Sequence, residues 1–160
     1  QVPSCLLLTR KNVEPQERDK AALSNIMRGG YFISEGKGPL DGIFIATGSE
    51  LDLAQQAAIA LREDGLNIRV VSMPCAEVFK SQETKYQESV LPTSKMARIA
   101  IEAGSPDYWY QFVGHSGKVI GIDHFGASAP AKALFSNYGF RVDEIKKAMQ
   151  DLVSKQHVTM

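Results

Sequence analysis

Gly42-Ile43-Phe44-Ile45-Ala46-Thr47-Gly48-Ser49-Glu50-Leu51 passes from an unbroken apolar run, through a glycine-containing turn, into a segment with helical spacing. A run without polar positions is the pattern of a strand buried on both faces of a parallel sheet. Thr47-Gly48 supplies the turn, and Ser49 with Asp52 three residues on reads as a short-armed capping box. Leu51, Ala54, Ala58 and Leu61 then recur on one helical face until Gly65 stops the helix. The same strand-then-helix order continues downstream. Ile68 to Met73 is a strand ended by Pro74, and short helices follow over Ala76 to Ser81 and Thr84 to Val90. Ala97 to Ile101 is another strand, after which Asp107 caps a short aromatic helix through Tyr108-Trp109-Tyr110. Lys118 to Asp123 is the last strand. Ser128 opens a helix with Pro130 in its first turn, and Gly139 closes it. Val142, Ile145, Ala148 or Met149, and Leu152 mark the buried face of a final helix. Ser154 to Met160 shows no apolar pattern and is expected to fray. Alternation of this kind predicts an α/β fold: a three-layer, mainly parallel sheet of about five strands, with helices on both faces joined by right-handed crossovers.

Upstream the pattern breaks. Residues 11–41 are polar and irregular, with a turn at Glu14-Pro15, a short helix from Arg18 to Arg28 ended by Gly29-Gly30, and a short strand at Tyr31-Phe32-Ile33. Before them, Ser4-Cys5-Leu6-Leu7-Leu8 closes on Thr9-Arg10-Lys11-Asn12. This reads as a buried parallel strand whose carboxyl end faces a ligand crevice, but its companion strands would have to lie upstream. Because Gln1 is also not an initiating Met, the expectation is a fragment that starts near the end of one domain and contains the next.

The chain has 160 residues, 44% of them hydrophobic and 22% charged, enough for one ordinary domain and too few for two. Eighteen Lys and Arg balance eighteen Asp and Glu, so net charge offers no electrostatic reason to propose nucleic acid or an acidic membrane as partner. Two cysteines, Cys5 and Cys75, are far apart and differently placed, which supports neither a disulfide framework nor a zinc site. A reducing cytoplasm is the simple expectation. No apolar run approaches the length that spans a bilayer, and no signal-like start is seen.

Few residues suggest chemistry. The Thr47-Gly48-Ser49-Glu50 turn could offer N–H groups to a phosphate, but it lacks the full glycine spacing and a lysine, and Glu50 would repel an anion. A well-capped helix is the better reading. His115, His124 and His157 have no partner at metal-binding spacing, and His124 after Asp123 is more simply a surface hydrogen-bonding group than an acid–base catalyst. Ser116, Ser128 and Cys75 lack a base in sequence. Tyr108, Trp109, Tyr110 and Phe112 suit core packing or a subunit or domain interface. Arg10 has the planar fork that binds phosphate bidentately, beside donors from Lys11 and Asn12. On spacing alone a structural ion pair with a carboxylate stays open as its other role.

The words Leu8-Thr9-Arg10-Lys11-Asn12, Arg28-Gly29-Gly30-Tyr31, Ile45-Ala46-Thr47-Gly48-Ser49-Glu50-Leu51, Arg69-Val70-Val71-Ser72-Met73-Pro74, Tyr86-Gln87-Glu88-Ser89-Val90-Leu91-Pro92 and Phe125-Gly126-Ala127-Ser128-Ala129-Pro130, in that order and spacing, resemble the C-terminal part of transketolases of the bacterial, yeast and plant type. The resemblance covers nearly the whole chain. It implies that residues 1–12 are the end of the pyrimidine-binding domain, 13–41 a linker with a short helix and strand, 42–154 the C-terminal α/β domain and 155–160 a frayed tail.

It further implies that Arg10 falls on the arginine of the family's Ser-Arg-Gln-Asn motif and binds the phosphate of a sugar substrate in the intact enzyme. Thr9 stands there for Ser, and Lys11 for Gln. No catalytic, cofactor-binding or metal-binding residue of the family falls on residues 42–160. The intact enzyme is expected to be a cytoplasmic homodimer of the pentose phosphate pathway. With thiamine diphosphate and a divalent metal (Mg or Ca), it transfers a two-carbon glycolaldehyde unit from a ketose phosphate to an aldose phosphate. This chain alone, without the N-terminal and middle domains, is expected to bind neither cofactor nor metal, to be inactive, and to serve a structural, regulatory or interface role. Arg141 stands where the family often has a capping Thr. The alternatives are the C-terminal domain of another thiamine-diphosphate enzyme, against which the Arg-Gly-Gly-Tyr and Phe-Gly-Ala-Ser words argue, or a non-catalytic α/β module that binds an anion or a protein.

Overall fold

A computed structural model describes residues 3, 5–9 and 12–158 of the chain. Five strands, β1 (Tyr31–Ser34), β2 (Gly42–Ala46), β3 (Ile68–Ser72), β4 (Arg98–Ile101) and β5 (Lys118–Ile120), form one sheet in the order β1-β3-β2-β4-β5. The last four are parallel, with Ala46 beside both Ser72 and Ile101, while β1 is an antiparallel edge on β3. The expected α/β architecture is thus present, and the short strand expected in the linker is a member of the sheet.

Alternation along β2 assigns its side chains to two cores. Phe44 and Ala46 join Ile68, Val70, Ile99 and Ile101 under helices α2 (Leu51–Glu63) and α7 (Val142–Val158). Ile43 and Ile45 point the other way and join Val71 and Ala100 beneath α3 (Ala76–Lys80), α4 (Thr84–Val90) and α5 (Tyr110–Val113). On the first face Ala54, Ala57 and Ala58 of α2 are fully buried, and their small side chains let α7 approach closely. The pair is fastened at one end by Asp64, which accepts from Lys146 Nζ at 2.7 Å and Gln150 Nε2 at 3.2 Å. On the second face Trp109 and Phe112 are buried with ring centroids 5.9 Å apart, while Tyr108 and Tyr110 remain 40% and 50% exposed. The aromatic cluster therefore divides between core and surface.

Several local expectations are corrected. Leu6, Leu7 and Leu8 form no strand and are 84%, 89% and 78% exposed, because among the described residues no strand lies beside them to bury them. The first helix, α1, is shorter than the sequence suggests, Lys20–Ile26, with Asp19 capping the Ala22 N–H at 2.7 Å. Ser49 does not cap α2. It lies inside a 3₁₀ turn, Gly48–Glu50, and its hydroxyl donates to Glu50 Oε1 at 2.6 Å. Asp107 likewise sits within a 3₁₀ turn and makes no capping bond. Helix α6 (Ala131–Asn137) starts after Pro130, which takes the cap position, so Ser128 stays outside it. Helix α7 continues to Val158, past the end of its apolar pattern. Arg141 brings no capping acceptor: its carbonyl accepts the first helical bond, from Ile145 N–H at 3.0 Å, and its guanidinium donates to Asp143.

Gly29 carries the chain into β1 with φ +81°, and its carbonyl accepts from Cys75 N–H at 2.9 Å. A β-carbon there would stand 2.2 Å from the Cys75 carbonyl oxygen and 2.6 Å from Phe79 N. Gly38 has a similar φ of +92° with open space around it. Gly29→Ala is therefore expected to lower stability by roughly 3 kcal/mol or more, against about 1 kcal/mol for Gly38→Ala. Urea midpoints measure the difference, and equal losses would show that the backbone contact at Gly29 gives way.

Candidate functional site

From β2 the chain crosses to β3 on one side, and β4 later fills the other side. The strand order thus reverses at β2, and in open α/β sheets ligands bind outside the carboxyl ends of the strands at such a point. Here the crevice is bordered by the Thr47–Glu50 turn after β2 and by Glu102-Ala103-Gly104 after β4. Backbone bonds hold the second border: Glu102 N–H donates to Ile120 O at 3.1 Å, and Ile122 N–H to Gly104 O at 2.8 Å.

Two carboxyl groups occupy this place. Glu50 is 4% exposed, with Ser49 as its donor. Glu102 Oε2 is buried and has no hydrogen-bond partner. Burial first, and the neighbouring Glu50 charge second, push the Glu102 carboxyl up to about 7. A buried carboxylate oxygen without a protein donor favours its neutral form. Two carboxyl groups make the crevice acidic, which disfavours a phosphate at the Thr47-Gly48-Ser49 turn; the capped-helix reading of that turn fails as well, since no side chain caps either the 3₁₀ turn or α2. Nothing in the sequence pattern singles out Glu102, which directly follows the strand Ala97 to Ile101. The available signal was a carboxylate directly after a buried apolar run.

Beside the crevice, an open cleft of about 890 Å³ lies between Asn12-Val13-Glu14, Ser49 of the 3₁₀ turn with Asp52 of α2, and α6. Arg10 itself lies outside the described residues. The remaining candidates are not brought together. His124 Nδ1 is 2.9 Å from Asp123 Oδ1, both exposed, and this bond holds Asp123 below the usual carboxylate range. Cys5 and Cys75 are free and exposed. Ser116, Ser128 and His115 are exposed. Among the described residues no group of three His, Cys, Asp or Glu side chains is placed to hold a metal ion.

A family model described as the transketolase-like C-terminal domain matches residues 29–141. The chain belongs to the transketolase C-terminal domain family. It is 46% identical over 151 residues to transketolase 1 of Escherichia coli K12, a match covering 94% of this chain and 23% of that protein. Among solved structures, a transketolase from Leishmania mexicana superposes with a TM-score of 0.82 at 34% identity, covering 91% of this chain and 21% of that one. A Pichia stipitis transketolase in complex with sedoheptulose 7-phosphate gives a TM-score of 0.75 at 28% identity, over 83% of this chain and 19% of its own. This transketolase domain therefore spans about a quarter of the length of the curated relatives it matches.

The Glu102 carboxyl gives the transketolase domain a testable pH dependence. With the folded value above the unfolded one, the native state binds the extra proton between about 4.5 and 7, so stability is greatest below that window and falls as pH rises through it. Glu102→Gln is expected to flatten this slope. At pH 8 it should raise Tm by about 2–4 °C, on the order of 1 kcal/mol once partial solvent access is discounted. Thermal melts of both forms across this window measure it, and parallel curves would place the proton elsewhere.

Proposed function

We propose that this chain is the C-terminal part of a transketolase, which moves a two-carbon glycolaldehyde unit from a ketose phosphate to an aldose phosphate in the cytoplasmic pentose phosphate pathway. The observation that carries this reading is the agreement of nearly the whole chain with about a quarter of each transketolase it matches. In this reading residues 1–12 are the end of the preceding domain, 13–41 a linker, 42–154 the C-terminal domain and 155–160 its tail. Its partners are the preceding domains and, through them, a second subunit. No helix among the described residues is long and apolar enough to cross a membrane.

Thiamine diphosphate and its divalent metal belong to the rest of the enzyme in this reading, where the cofactor supplies carbanion stabilisation. The residues of this chain do not fit that group. The strand-to-helix turn after β2 carries buried Glu50, whose charge opposes a diphosphate. What the chain contributes to binding is Arg10, with the substrate's distal phosphate as its partner. The sedoheptulose 7-phosphate complex of the Pichia stipitis relative supports a phosphorylated ketose as the ligand class. A distal phosphate is held alike in ground and transition states, so its contact lowers KM more than it raises kcat.

Arg10→Ala in the full-length enzyme is therefore expected to raise KM for phosphorylated ketoses by about 10- to 100-fold with a much smaller change in kcat. Arg10→Lys should recover part of the loss. Steady-state kinetics with phosphorylated and unphosphorylated ketoses make the test, and an unchanged KM for the phosphorylated donor overturns the assignment. Calorimetry on the present chain addresses the other reading: micromolar binding of a sugar phosphate or nucleotide would make it a binding module in its own right.

A further inference from the structure

The chain from Asn12 to Asp19 has no secondary structure, and every residue in it is exposed except Gln16 and Arg18. Those two are tied to one another and to the sheet. Arg18 Nε donates to the Tyr31 hydroxyl at 2.7 Å, and Arg18 Nη1 donates to the Gln16 carbonyl at 2.9 Å. Gln16 Nε2 in turn donates to the Glu14 carbonyl at 3.2 Å. Tyr31 is a firm anchor, 2% exposed at the start of β1 and opposite Ser72 of β3. With this clamp closed, Val13 to Gln16 run beside the 3₁₀ turn after β2, around a cavity of about 280 Å³ shared with Gly48, Ser49 and Asp52. A guanidinium that holds a buried phenol with one donor and a carbonyl two residues back with another fixes both the position and the direction of the chain.

We infer that Arg18 is a positioning residue for phosphate binding: locked onto Tyr31, it sets the path of the chain that leads from Arg10 to the sheet, and so fixes where Arg10 meets the substrate's distal phosphate. The inference rests on the assignment of Arg10 to that phosphate. Arg18 touches no substrate, because its bonded donors face a phenol and a carbonyl of this chain. Its importance comes from what lies between it and the next anchor. Helix α1 contains no buried residue, so without the bond to Tyr31 the first buried position after Arg10 is Gly29. Each residue of slack adds up to about 3.5 Å of reach, and each doubling of a free segment disfavours one fixed end-point roughly 3-fold. A bidentate phosphate contact needs its guanidinium held to a fraction of that distance.

Steady-state kinetics of the full-length enzyme with sedoheptulose 7-phosphate, and with sedoheptulose as the ketose lacking the phosphate, test the inference. Arg18→Ala is expected to raise KM for the phosphorylated ketose about 3- to 10-fold more than KM for the unphosphorylated one, with a much smaller change in kcat. Tyr31→Phe removes only the acceptor hydroxyl and should shift the same ratio in the same direction, about 2- to 5-fold. The two changes together should go no further than Arg18→Ala alone, since they break one bond. Arg18→Lys should recover part of the loss. Equal KM increases for both ketoses mark the bond as structural only and overturn the inference. So does an unchanged KM ratio in Tyr31→Phe, a variant that keeps the test available where Arg18→Ala fails to fold. Arg10→Ala separates this inference from the assignment beneath it. A raised KM there, beside unchanged values in the Arg18 and Tyr31 variants, removes the inference and leaves Arg10 on the phosphate; an unchanged KM in Arg10→Ala removes both.

Discussion

Strand β2 has no solvent face: Ile43, Phe44, Ile45 and Ala46 are all completely buried. A strand in that position needs hydrogen-bonding neighbours on both edges and a helical layer on both faces. β3 and β4 supply the edges, α2 with α7 one face, and α3 to α5 the other. Because the flanking strands lie on opposite sides of it, the connections leaving β2 and β4 diverge, and the crevice at their carboxyl ends is a geometric consequence of the strand order. The Glu102 side chain is partly buried at that crevice. The raised Glu102 carboxyl is therefore a product of the core as much as of the Glu50 charge beside it.

The loops between these elements are closed by arginines. Arg98, at the start of β4, donates to the carbonyls of Leu91, Pro92, Lys95 and Phe112, at 2.7 to 3.2 Å. Arg69 pairs with Glu35 and reaches the Ser89 and Val90 carbonyls, and Arg62 holds the Ile68 carbonyl while meeting Ser34 Oγ at 2.9 Å. Turns leave carbonyls that no ladder satisfies, and a guanidinium can satisfy several at once with a fixed fork of donors. Burial lowers the Arg62 and Arg98 values from their ordinary range, but guanidinium groups remain charged under these conditions. A lysine at position 98 has too few donors in too loose a geometry to replace that clamp.

The strands and longer helices were legible because their burial is periodic. Ile43 to Ala46 and Ile99 to Ile101 are continuous runs, and the α2 face repeats at helical spacing. Helix starts were legible only in part. Ser49, Asp107 and Ser128 carry capping side chains, yet a 3₁₀ turn or a proline takes the cap in each case, and a single extra turn does not alter the apolar pattern. The role of Tyr31 to Ser34 as an edge strand was hidden because antiparallel pairing with β3 is a long-range contact. The crevice was hidden for a related reason: Glu50 and Glu102 are far apart in sequence, and only the strand order brings their elements side by side. Arg10 was singled out by residue type and family resemblance, and it lies outside the described residues.

The two sheet edges are poor places for another chain to add. β1 is four residues long with an irregularity between Phe32 and Ser34, and β5 is three residues long. Short and bulged edges discourage strand addition. The most exposed apolar side chains, Leu6 to Leu8 and Phe125, belong to irregular chain and not to the core. Phe125 lies outside both hydrophobic clusters, and neither cluster includes the leucines at positions 6 to 8. Internal stability is thus carried by the sheet and its two helical layers, and the residues that bury β2 on both faces are the ones on which it depends.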